Sequence, residues 1–202
     1  LARFYLRHGN KEDAGKEYRA IAQSNPGDFK AKLDLIRFIN SIQGTDKAIA
    51  EVSDLAKAEP DNDKLRFVLA SLYRQQNSEK LQPLLTELAA SQKLGVQVRA
   101  MAMLAGLHLK QGDKEQAKAL IEQILKLDPQ NQQAMLYKAS LAIDERQLEM
   151  AISDLRKVLK GSSNSAPTLS LLAKAHELNG QSGLADDFFA RAVQAGRNAP
   201  RY

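Results

Sequence analysis

"KQGDKEQAKALIEQILKLDP", residues 110–129, reads as the turn and second helix of a helical hairpin. Gly112 suits the left-handed backbone that ends a helix. Asp113 follows as an N-cap, with Gln116 three residues on in the spacing of a capping box. Ala117, Leu120, Ile121, Ile124 and Leu125 then share one face of a 3.6-residue period, and Pro129 supplies the stop. Upstream, VRAMAMLAGLHLKQG (98–112) is rich in helix formers and provides the first helix of the pair.

The same markers recur along the chain. RHGNKEDAGKEYRAIAQSNP (7–26) carries Gly9, Ala14 and Pro26 at the same offsets. Alanine repeats as Ala14, Ala48, Ala117, Ala151 and Ala185, a period of 34 residues with one inserted residue in the double-length gap, where Gln82 is the remaining member. A second small column runs Ala2, Ala70, Ala105, Ala139 and Ala173, with Ile36 the exception. Proline closes units at Pro26, Pro60 and Pro129. Two antiparallel helices joined by a tight turn cross closely, and a small residue on each lets the backbones approach, so the marker spacing is a packing constraint.

These features resemble the tetratricopeptide repeat family. The resemblance rests on the 34-residue period, leucine before the small residue, Tyr5 and Tyr73 three places after it, the turn glycine, Tyr18 and Phe189 four places after the second alanine, and the terminal proline. It implies an all-α fold: tandem helix-turn-helix repeats stacked in a right-handed superhelical solenoid. We read a single array over 1–202, with a partial unit at 1–28, full units at 29–62, 63–97, 98–131, 132–165 and 166–199, and the stub PRY entering another. The start at Leu1, without methionine, reads as a fragment cut at both ends. The third unit departs most, with Gln82 and Pro83 in its second helix and an extra residue in SQKLGVQ (91–97), so a shortened or shifted helix is expected around 79–91. The family's tryptophan is replaced by Lys32, Arg66, Met101, Met135 and Leu169, which predicts aliphatic packing at that column.

Composition bounds the functional classes. At 44% hydrophobic and 26% charged, the chain has material for a sizeable core. It has no cysteine, which removes disulfides, thiolate metal sites and a cysteine nucleophile while leaving the compartment open. The longest apolar run, AMAMLAGLHL (100–109), is too short to span a bilayer. His8, His108 and His176 lie far apart in sequence, and the last two fall in the column of Tyr5 and Tyr73, where a packing role is expected. GQSG (180–183) follows no strand and precedes no lysine, so it is not a phosphate loop. No catalytic residues, metal or cofactor are expected, and the chain reads as a non-enzyme.

The resemblance places the partner-binding groove on the first helix of each unit. The residues carried over to it are Lys30, Arg37, Lys64, Phe67, Arg74, Arg99, Met103, Leu109, Leu136 and Tyr137. The first half is basic, the stretch beyond Arg99 apolar, so the expected partner is a protein or peptide segment, acidic with apolar anchors, running from the second unit to the fifth. Leu33, Phe67, Ala102 and Leu136 stand where a chaperone-tail clamp would need lysine, which disfavours that assignment. A helical-repeat nucleic-acid binder is the alternative, disfavoured because the basic residues stop while the groove turns apolar. A structural self-assembling spacer is another. Uncapped ends predict a homodimer, most readily through Phe188, Phe189 and Val193. The alanine- and glutamine-rich style is similar to bacterial proteins of exopolysaccharide assembly, a leaning toward the periplasm or cell envelope.

Overall fold

The computed structural model describes residues 1–161 and 165–197. Among them are twelve α-helices and no strand. They are α1 Ala2–Arg7, α2 Lys11–Ser24, α3 Phe29–Ile42, α4 Thr45–Ala58, α5 Asp63–Gln75, α6 Leu81–Ala89, α7 Leu94–Gln111, α8 Lys114–Leu127, α9 Gln132–Asp144, α10 Leu148–Gly161, α11 Ala166–Leu178 and α12 Ser182–Arg197. The PRY stub lies outside the described residues.

Several helix starts are fixed by a side-chain cap, those of α2, α3, α8, α9 and α11 among them. Asp113 accepts a hydrogen bond from the Gln116 amide at 3.3 Å, as its spacing predicted. Asp28 accepts from the Lys30 and Ala31 amides at 2.8 and 3.2 Å, and Asn131 from that of Ala134 at 3.0 Å. Each satisfies amides that a helix N-terminus leaves without an internal partner. Gly112 ends α7 in the left-handed region, φ +81°. The equivalent position one repeat later is Arg146, which adopts φ +62° despite its side chain.

The chain forms two compact units, Leu1–Leu84 and Leu85–Tyr202. In the first, consecutive helices α1 to α5 pack pairwise around Leu35, Ile36, Phe38, Ile39, Val52 and Leu65. In the second, α7 to α12 pack likewise, with α9 also touching α7 and α11. Its interior is built from Met101, Ile121, Ile124 and Leu141 toward one end and Ile143, Leu155, Leu169 and Leu172 toward the other. The alanine columns are buried: Ala14, Ala48, Ala70, Ala105, Ala117, Ala151 and Ala173 are each 0% exposed.

The irregular third unit shows how the sequence is accommodated. Helix α6 has only nine residues, with Pro83 in its first turn, where its missing amide donor leaves no helical hydrogen bond broken. The extra residue of SQKLGVQ is absorbed at the start of α7, which begins at Leu94 and runs for 18 residues. The expected boundary between units at 97 and 98 therefore falls inside α7.

The column expected to be aliphatic is only partly so. Met101 and Leu169 are buried, but Lys32 is also buried, at 3% exposure. Its ammonium is paired with Glu59, which also accepts from Asn62 Nδ2 at 2.8 Å. The aliphatic stem fills the space of the missing indole while the charge is matched at the edge of the hairpin.

Candidate partner-binding surface

In the first unit the expected basic residues stand on exposed faces of α3 and α5. Lys30 and Arg37 lie one turn to either side of Asp34, at 3.7 and 3.8 Å from its carboxylate oxygens. One carboxylate between two exposed cations leaves the group net positive, and such surface pairs are weak enough to open for a competing anion. Lys64 extends from α5 over the Phe29 ring of α3, 5.4 Å from its centroid. Asn40 Nδ2 donates to Gln75 Oε1 at 3.5 Å, a second link between the two first helices. Arg74 is exposed on the last turn of α5. Phe67 is not part of this surface: at 3% exposure it belongs to the interior, because a ring of that size is stabilised more by leaving water than by lining a groove.

In the second unit Met103, Leu109, Leu136 and Tyr137 are half-buried on α7 and α9. Leu109 and Tyr137 pack against the interior near Met101 and Ile121, and Leu136 against that near Leu155 and Leu169. Tyr137 lies directly over Gly106: a Cβ there would come 3.2 Å from its ring carbon Cζ. Arg99 is exposed on the same helix as Met103. The apolar character expected for α7 and α9 is present, though these side chains support the helix stack as well as facing outward.

Sequence reasoning missed a depression of about 530 Å³ between α8, α9 and α10, floored by Ile121, Leu125, Leu141 and Met150. Lys118 pairs with Glu145 at 2.6 Å beside it. That hydrogen bond holds the Lys118 ammonium pKa above its usual value. Met150 is 52% exposed, an outward-facing apolar residue that the period alone could have flagged.

His108 and His176, the two histidines of the Tyr5 and Tyr73 column, are half-buried and buried, whereas His8 is exposed. His176 is 1% exposed, with its ring parallel to that of Phe188 at 5.4 Å. The half-buried His108 has Nδ1 3.2 Å from Asp113 Oδ2, without hydrogen-bond geometry. Among the described residues no group of three His, Cys, Asp or Glu is placed to hold a metal ion. No described helix is long and apolar enough to cross a membrane. At the expected self-association face, Phe188 is 9% exposed and therefore packed inward, while Phe189 and Val193 are 40% and 54% exposed.

No curated protein matches the sequence. Residues 102–167 match the tetratricopeptide repeat family. Similar solved structures include the pilF protein of Pseudomonas aeruginosa, at TM-score 0.68 and 20% identity, covering 98% of this chain and 90% of that one. A tetratricopeptide repeat protein of Parabacteroides merdae gives TM-score 0.70 at 18% identity, covering 98% and 77%. PilW, a widely conserved type IV pilus biogenesis factor, gives 0.67 at 19%, covering 98% and 92%. Such repeats are generally non-catalytic and serve as protein-binding scaffolds. The sequence match to tetratricopeptide repeats is thus confined to residues 102–167, while the likeness in fold extends over the helical hairpins on either side of them.

Proposed function

We propose that the chain is a non-enzymatic scaffold that binds segments of a partner protein on the faces of its first helices. The observation that carries this reading is the exposed cation set on α3 and α5, Lys30, Arg37, Lys64 and Arg74, with Asp34 as the counter-charge beside Lys30 and Arg37. An acidic stretch meets that face by charge complementarity, which acts mainly on association. On the second unit, Met103 and its neighbours on α7 and α9 receive apolar side chains, which acts mainly on dissociation. The style of the repeats favours a bacterial envelope or exopolysaccharide assembly as the setting, whereas the likeness to the pilus proteins speaks for the fold alone.

Selection from a random peptide-display library tests this reading. Enriched peptides should be acidic with apolar anchors. Charge reversal of Lys30, Arg37 and Lys64 should slow their association and flatten its salt dependence, while Met103→Ala and Leu136→Ala should speed dissociation, with folding of each variant checked alongside. Enriched peptides that bind every folded variant equally would place the function on another surface.

A further inference from the structure

The last turns of α10 carry more positive charge than the fold consumes. Lys157 is held by Asp154 at 3.0 Å. Arg156 and Lys160 stand one turn apart, a spacing at which like charges repel, and neither has an ion pair or hydrogen bond among the described residues. The favourable field at a helix C-terminus accounts for a cation in the final turn but not for a cluster extending a turn further back.

These side chains wall a cleft of about 500 Å³ within the second unit. Its opposite wall is the end of α11 and the turn into α12, where His176, Asn179 and Gln181 lie. His176 Nδ1 bonds to Gln181 Oε1 at 2.5 Å, so the imidazole donates there, and the Gln181 amide nitrogen has no hydrogen-bond acceptor among the described residues. The other imidazole nitrogen, Nε2, is buried with no hydrogen-bond partner, an uncompensated polar atom beside a basic cleft. The carboxylate among the described lining residues is Glu149, two turns from Arg156 and so about 10 Å away along the helix.

We propose that this cleft recognises adjacent carboxylates in an acidic segment of a partner protein, at a site separate from the first-helix faces. The Arg156 guanidinium donates two parallel hydrogen bonds to one carboxylate. The Lys160 ammonium, one turn on, meets a second carboxylate, and the amides of Asn179 and Gln181 donate from the far wall. Among the described lining residues none is phenylalanine, tyrosine or tryptophan, the large rings on which single-stranded nucleic acid stacks most strongly, and the imidazole of His176 is buried.

His176 provides a local reporter, because it lines this cleft and no other described site. Titration with a short oligoglutamate peptide, followed by the histidine ring resonances, should move the His176 signals to saturation. The double variant Arg156→Glu, Lys160→Glu should weaken that response on the order of tenfold while keeping the helical circular dichroism of the parent. Arg156→Lys with Lys160 intact keeps the charge but not the two-point contact, and should respond between the parent and the double variant. Lys30→Glu with Arg37→Glu should leave it unchanged, whatever those changes do to peptides bound on the first unit, so the two sites succeed or fail independently. The assignment is overturned if His176 does not respond, if the folded double variant responds as the parent does, or if an oligouridylate probe moves His176 at lower concentration than oligoglutamate.

Discussion

The second and fourth repeats solve one packing problem in two ways. At equivalent positions the second repeat has Lys32, Glu59 and Asn62, and the fourth has Met101, Asp128 and Asn131. In both, the asparagine amide donates to the acidic residue three places earlier, at 2.8 Å and 3.0 Å. In both, the first residue is buried, Lys32 at 3% and Met101 at 4% exposure. The fourth repeat buries a thioether there. The second buries an ammonium and meets it with Glu59. The column thus demands a long side chain that fills a hole, and it accepts a charge where the closing turn supplies the opposite one.

The comparison is broken most severely by removing the carboxylate. Glu59→Ala leaves the Lys32 ammonium buried without its partner, and we expect a loss of about 3 kcal/mol of unfolding free energy. Lys32→Met imports the fourth repeat's solution and should be neutral or stabilising, since Glu59 is one-third exposed and keeps water and Asn62 as partners. The double variant should recover most of the loss. Urea denaturation of the three variants checks this: equal destabilisation by Glu59→Ala and Lys32→Met would show that the ammonium is not the costly group.

The two repeats should respond alike where their geometry is alike. Ala48 and Ala117 occupy the same column and are both 0% exposed. Ala48→Leu and Ala117→Leu should each destabilise by about 1 to 3 kcal/mol through overpacking of the close helix crossing. If neither shifts the thermal midpoint, the close-approach account of the alanine columns is wrong.

Acid separates the repeats again, by a smaller effect. The hydrogen bond from Lys32, and then that from Asn62, hold the Glu59 carboxyl below its ordinary value, with burial working in the opposite direction. A carboxyl whose pKa is lower folded than unfolded stabilises the protein above the unfolded value and loses that contribution as pH falls through the folded one. Part of the first unit's stability should therefore disappear below the ordinary glutamate range. Lys32→Met should flatten this dependence, and unchanged acid unfolding curves for parent and variant would contradict it.

The period made the hairpins, the buried alanines and the Asp113 cap legible, because each depends on residues within one or two turns. Pro83 likewise forecast the short α6. Lys32 was not legible as a buried charge, since its partner lies 27 residues away and a lysine in an isolated helix reads as solvated surface. Phe67 was misplaced because position in the repeat assigned it to the groove, whereas its size decides its burial. The exposed Lys30, Arg37 and Lys64 were readable as a face, but not the shared attachment of Lys30 and Arg37 to Asp34. Arg156 and Lys160 gave no signal in sequence, because the far wall of their cleft comes from another helix and its turn.

A further pair of equivalent positions carries the smallest expected effect. Gly112 and Arg146 both hold left-handed backbone after a first helix, at φ +81° and +62°. The turn geometry is therefore set by the hairpin and not by glycine, and Arg146 bears a steric strain between its Cβ and the following carbonyl that Gly112 does not. The Arg146 side chain is exposed and has no ion pair or hydrogen bond among the described residues, so its removal forfeits no polar interaction there. Arg146→Gly should raise stability by about 0.5 to 1 kcal/mol, the strain relieved being partly offset by the greater freedom of glycine in the unfolded chain. Gly112→Ala should lower it by about 1 kcal/mol for the converse reason. Thermal unfolding of both variants should show shifts of opposite sign, and a destabilised Arg146→Gly would mean that the arginine stem supports the turn by packing that outweighs the strain.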